Sequence, residues 1–163
     1  MTENNSRIQL RSAMPETSRA QYAVTDTIIA RATELGIPRA VLELAFVRVS
    51  QVNRCAYCTD VHSRLATKFY TEAGESAEDI TRKFALAPGW REAAGVYTDL
   101  ERAGLDIAEA VTSVEHGALP DEDYDRLRAQ LGDDVLAVFL MGCINMNVFN
   151  RIHLFSHTVV GQP

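Results

Sequence analysis

Four side chains carry the most chemistry in this sequence: Glu43, Cys55, Cys58 and His62. Three of them lie in one stretch, Cys55-Ala-Tyr-Cys58-Thr-Asp-Val-His62. A helix turns ~100° per residue, so positions i, i+3 and i+7 fall within ~60° of one another. Two thiols and an imidazole therefore share one stripe. A thiol with a reference pKa of ~8.5 is mostly protonated at neutral pH, and the thiolate is the nucleophile. An imidazole one turn away can take that proton, and a carboxylate beside the imidazole would orient it. A second thiol can condense with a sulfenic acid to give a disulfide before over-oxidation. An external dithiol would then reset the pair. Two other readings of the same residues stay open. Cys55, Cys58, His62 and Glu43 could ligate zinc, or they could form a buried polar cluster without turnover.

The elements that must position these groups read as helices throughout. Helical periodicity marks 16–35, 38–50, 55–72, 76–87, 98–115, 120–131 and 133–160. Gly36, Gly74, Gly117 and Gly132 punctuate them, as does the Pro88-Gly89 pair. Ser76 with Asp79, and Thr98 with Glu101, form N-cap patterns. Sustained period-2 alternation and hairpin signals are both missing. The expected fold is all-α, a single compact helical domain spanning 1–163 with six or seven helices and an irregular N-terminal arm over 1–15. Glu43 lies on the helix before the motif. It reaches the cysteines if the two helices pack antiparallel through the short 51–54 turn. The Cys-x-x-Cys pair does not signal thioredoxin here, because that fold needs a βαβ setting.

Composition bounds the function. The 163 residues are 47% hydrophobic and 23% charged, an ordinary globular mix. Sixteen basic against 22 acidic residues give a net charge of −6, which argues against nucleic acid or anionic lipid as a partner. The apolar run 135–144, broken only by Gly142, is shorter than the ~20 residues of a membrane span. The N-terminal residues show no apolar signal segment. Three cysteines are too few, and odd in number, for a disulfide framework. The expected setting is a reducing cytoplasm. Cys143 reads as a small buried hydrophobe, and His153 and His157 as helix-end or interface residues. The final helix is apolar almost all round and needs cover on most sides, for which a partner subunit is one candidate.

The pattern Glu-x11-Cys-x2-Cys-x3-His, within Arg48-Val-Ser-Gln-Val-Asn-Arg-Cys-Ala-Tyr-Cys-Thr-Asp-Val-His62, resembles the AhpD-like alkylhydroperoxidase branch of the carboxymuconolactone decarboxylase superfamily. The segments Ser6-Arg7-Ile8, Trp90-Arg91-Glu92, Ala108-Glu109-Ala110-Val111-Thr112 and Asn145…Asn150-Arg151 are also similar to it. The resemblance implies an all-helical trimer or hexamer that reduces peroxides through its cysteine pair. By position, Glu43 and His62 match the proton relay, Cys58 the peroxidatic thiol and Cys55 the resolving thiol. The implied partners are a peroxide substrate and an electron donor, either a redox protein or a small dithiol. No cofactor is implied beyond the redox-active Cys55–Cys58 pair. Members acting on lactones typically lack the pair, so a non-redox decarboxylase-type enzyme is the alternative. One departure is Arg54, at a position where many relatives have glycine. A cation there would favour a Cys55 thiolate, and His62 is expected to lower the pKa of Cys58.

Overall fold

A computed structural model describes residues 7–161. Among them are eight α-helices and no strand: α1 (Leu10–Ala13), α2 (Pro15–Glu34), α3 (Arg39–Val52), α4 (Ala56–Glu72), α5 (Ala77–Leu86), α6 (Asp99–Thr112), α7 (Asp121–Leu131) and α8 (Asp133–Ser156). Seven of these correspond to the seven periodic segments. The eighth, α1, is a single turn inside the stretch expected to be irregular; Ser6 lies outside the described residues. Short 3-10 turns follow α5 at Ala87–Gly89 and α6 at Val114–His116.

The caps form as the sequence implies. Ser76 Oγ accepts from the Asp79 N–H, and Thr98 with Glu101 makes a reciprocal capping box. Most boundaries shift by a residue or two, with α3 running on to Val52 into the expected turn, and three differences have a clear local cause. The motif helix starts at Ala56, because Cys55 is its N-cap in extended backbone (φ −86°, ψ 94°). The sixth helix stops at Thr112 and tightens into a 3-10 turn. The last helix ends at Ser156 rather than near Val160, where His157 turns left-handed (φ 53°) and closes it.

α3 is the central element. Every residue from Ala40 to Val47 is buried, and α4, α6 and α8 all pack against it. Such a helix needs apolar side chains on most of its surface, and the sequence supplies them. One face of α3 presents Leu42, Phe46 and Val49 to a core shared with Ile107, Phe139 and Cys143. The other presents Ala40 and Leu44 to a core built on Tyr70, Ile80, Trp90 and Leu105. Close approach to α8 depends on Gly142. A β-carbon there would stand 3.0 Å from Phe46 Cε1.

Glu43 is a fully buried charge in the apolar middle of this helix, which makes its partners decisive. α8, 24 residues long, is long and apolar enough by length and composition to cross a membrane, although half of its most apolar window is buried in this fold.

Candidate functional site

The α3–α4 hairpin builds the site. Asn53 ends α3, and Arg54 (φ 58°) takes the left-handed conformation that lets the chain reverse within three residues. The Cys55 N–H then bonds the Ser50 carbonyl at 2.9 Å. This geometry makes Cys55 an N-cap, and its sulfur accepts the Cys58 N–H at 3.4 Å. A thiol therefore occupies the place that Ser, Thr or Asp usually holds at a helix start, where the unpaired N–H groups favour negative charge. The i, i+3 spacing brings the sulfurs together by capping, not by a shared helical stripe, since Cys55 is not helical.

Glu43 reaches the motif as the antiparallel hairpin requires. Its Oε2 lies 2.6 Å from His62 Nδ1. Its Oε1 accepts from Arg39 Nε at 2.7 Å, and Arg39 Nη2 lies 2.6 Å away. Arg39 sits one turn before Glu43, so the buried carboxylate is held by a cation on its own helix and an imidazole on the next. Sequence reasoning missed Arg39, although its i−4 spacing from an acid on an apolar helix was a usable signal. Phe46 meets the His62 ring edge-on, with centroids 5.5 Å apart.

The two thiols are buried, each 2% exposed. A bond from the Cys58 thiol lowers Cys55 to about 7, with the Cys58 N–H helping and burial opposing. Cys58 moves the other way. Its proton is held by the bond to Cys55, by burial and by the negative charge of Cys55, against a favourable bond from Asn150. In the reduced protein the first negative charge therefore favours Cys55, while Cys58, expected to be lowered by His62, is raised. The pair shares one proton, and its first ionisation is easy while its second is hard. Arg54 is not what favours Cys55, since the donors come from Cys58.

A cavity of about 230 Å³ opens beside the motif. Its wall includes Cys58, His62, Arg39 and His153, set against Phe46 and Phe149. Cys55, in contact with Cys58, is not part of that wall. One wall residue, His153, and one neighbour of Cys58, Asn150, extend the sequence reading. His153 stands in the last turn of α8, a helix end as expected, and it is also 6% exposed and lines the cavity. Asn150 belongs to a buried amide network that ties α8 to the hairpin. Asn53 Nδ2 donates to Asn150 Oδ1 at 2.8 Å, and Asn150 Nδ2 donates to Ser50 Oγ at 3.1 Å. A buried amide in an apolar helix was the available clue.

Cys143 is fully buried and pushed up to about 12 by that burial, an inert thiol as expected. Asp60 pairs with Arg64 at 2.6 Å on the outer face. Among the described residues, no three His, Cys, Asp or Glu side chains are gathered so as to hold a metal.

The model of the carboxymuconolactone decarboxylase family matches residues 15–110. The chain belongs to that family. It is 32% identical over 118 residues to the uncharacterised Bacillus subtilis protein YdfG, covering 72% of this chain and 74% of that one. A similar fold is found in the crystal structure of ATU0492 from Agrobacterium tumefaciens, a protein of unknown function described as a candidate antioxidant defence protein AhpD. The TM-score is 0.76 at 27% identity, over 96% of this chain and 99% of that one. The family and fold expectations from the cysteine motif are met. The matched segment contains Glu43, Cys55, Cys58 and His62.

Proposed function

We propose that this protein is a thiol-dependent peroxidase that reduces hydroperoxides through Cys55 and Cys58, assisted by Glu43 and His62. The observation that carries this reading is the arrangement at the cavity. Cys58 and His62 line it, Glu43 holds His62, and Cys55 stands against Cys58 outside the cavity wall.

The chemistry follows from these contacts. The dithiol gives one proton to His62, whose Nδ1 is held by the Glu43 carboxylate, and the remaining proton is shared by the sulfurs. As a hydroperoxide enters, that proton passes to Cys55 and Cys58 attacks as thiolate. The S–O bond forms at the terminal oxygen, the O–O bond breaks, and the alkoxide leaves with the bonding pair. His62 returns its proton to the alkoxide, giving the alcohol. Cys55, now a thiol, condenses with the Cys58 sulfenic acid, releasing water and closing the disulfide. A redox protein or small dithiol then supplies two electrons and two protons. This cycle suits a reducing compartment such as the cytoplasm.

The protein is further proposed to act as a homo-oligomer, a trimer or a hexamer. Met141, Ile144, Val148 and Phe155 recur at helical spacing along the outer face of α8 and are 38–69% exposed. An apolar stripe of that kind suits a second copy of the chain.

The deciding experiment is a thiol titration before and after one equivalent of hydrogen peroxide or cumene hydroperoxide. Three free thiols should fall to one, with mass spectrometry locating a Cys55–Cys58 disulfide. Persistence of both motif thiols would overturn the peroxidase reading.

A further inference from the structure

His153 is built into the cavity more firmly than a packing residue needs. It lies one turn before the end of α8. The left-handed turn at His157 folds the chain back, so that the Thr158 N–H donates to the His153 carbonyl at 3.0 Å. The same turn sets Thr158 Oγ1 3.0 Å from His153 Nδ1. The imidazole also lies against the Tyr57 ring, with centroids 4.3 Å apart and planes 32° from parallel. Tyr57 precedes Cys58 in the motif. A residue of α4 and a residue beyond α8 thus clamp one ring.

The clamp has a chemical consequence. Nδ1 is occupied by Thr158, and Nε2 has no hydrogen-bond partner among the described residues, so it is the nitrogen left to serve a molecule in the cavity. The Thr158 hydroxyl can donate to Nδ1, and the tautomer that this bond selects carries its hydrogen on Nε2. The groups around the ring keep it neutral. Burial, then the charge of Arg11 on α1, then that of His62 on α4, lower His153 to about 4. Two imidazoles in one small cavity are thereby given different work. His62 has a carboxylate behind it and can carry a proton; His153 has a hydroxyl behind it and can only lend one.

We infer that His153 is a further catalytic residue, whose Nε2–H donates a hydrogen bond to the leaving oxygen of the hydroperoxide as the O–O bond opens. The inference rests on the peroxidase reading. In that step sulfur supplies the electron pair to the terminal oxygen, and the O–O pair departs on the alkoxide oxygen. His62 delivers the proton that completes the alcohol, and His153 keeps its own. A donor fixed in place before the charge develops stabilises that charge without reorganising.

The test compares two reactions of the same thiol pair. Oxidation by cumene hydroperoxide needs a donor for the departing oxygen; alkylation by iodoacetamide, which expels iodide, does not. His153→Phe should slow oxidation roughly ten- to hundred-fold while alkylation stays within about twofold. His153→Gln, which retains an N–H, should recover much of the oxidation rate. Thr158→Val, which keeps the ring but removes its latch, should fall between Phe and wild type. It also preserves the test if the Phe variant folds poorly. Oxidation at the wild-type rate in His153→Phe would overturn the inference alone. So would a parallel loss of oxidation and alkylation, which marks a structural role. A wild-type protein whose motif thiols ignore peroxide would instead sink the peroxidase reading, and this inference with it.

Discussion

Glu43 Oε2 stands 2.6 Å from His62 Nδ1, and the same carboxylate grips Arg39 through its other oxygen. A buried anion is thus balanced from two helices and aims one imidazole. Every role suggested for His62 depends on that pairing, because an unanchored ring would rotate away from the cysteines.

Glu43→Gln keeps the shape and removes the charge. Peroxide oxidation of the motif thiols should slow by about a hundredfold, the usual scale for losing general acid–base help. Arg39→Met should instead cost stability, about 2 kcal/mol, since it strands the Glu43 carboxylate in the core; the partial exposure of Arg39 keeps the figure below that of a fully buried pair. Stopped-flow oxidation and urea unfolding separate the two effects.

The thiol pair should ionise near pH 7, not near the ordinary ~8.5. Iodoacetamide reactivity against pH should therefore show its first midpoint close to 7. Cys58→Ala removes the S–H donor, so the Cys55 midpoint should climb toward the ordinary value. Linkage gives the sign for stability. Between pH 7 and ~8.5 the folded pair has lost a proton that the unfolded chain still holds, so the reduced protein gains stability with rising pH. Above ~8.5 the unfolded chain sheds the proton that folded Cys58 keeps, and stability turns down.

Arg54 holds φ 58°, a conformation costing an ordinary L-residue about 1 kcal/mol. Arg54→Gly should raise the melting temperature accordingly. It should leave the alkylation midpoint of the pair in place, because the donors to Cys55 come from Cys58.

The exposed stripe on α8 gives a separate prediction. Wild-type protein should sediment well above its 18.0 kDa chain mass. Ile144→Glu combined with Phe155→Glu places two charges in the stripe and should yield monomers, since 47% and 69% exposed side chains can be changed without filling the core. A wild-type monomer by sedimentation velocity would refute the assembly.

His153 adds an acid-side expectation. Its folded value of about 4 lies below the ~6.5 of an unfolded histidine. Stability is present above 6.5 and is lost as pH falls toward 4, by up to about 3 kcal/mol. His153→Gln should flatten that loss in unfolding curves measured at pH 7 and pH 4.5.

The sequence by itself determined the helices, because local periodicity, caps and glycine stops act over a few residues and need no partner. It also determined that Glu43, Cys55, Cys58 and His62 could meet, since a short turn between two apolar helices leaves few ways to pack them. Tertiary structure decided the rest. Arg39 takes part because Glu43 is fully buried and needs a counter-charge. Cys55 is favoured for the first negative charge because the Cys58 thiol bonds to it, with the N–H that it caps helping. His153 enters the cavity because a left-handed residue at 157 returns Thr158 to its ring. These facts depend on burial and on contacts between distant segments, such as Asn53 with Asn150, and no spacing rule along the chain encodes them.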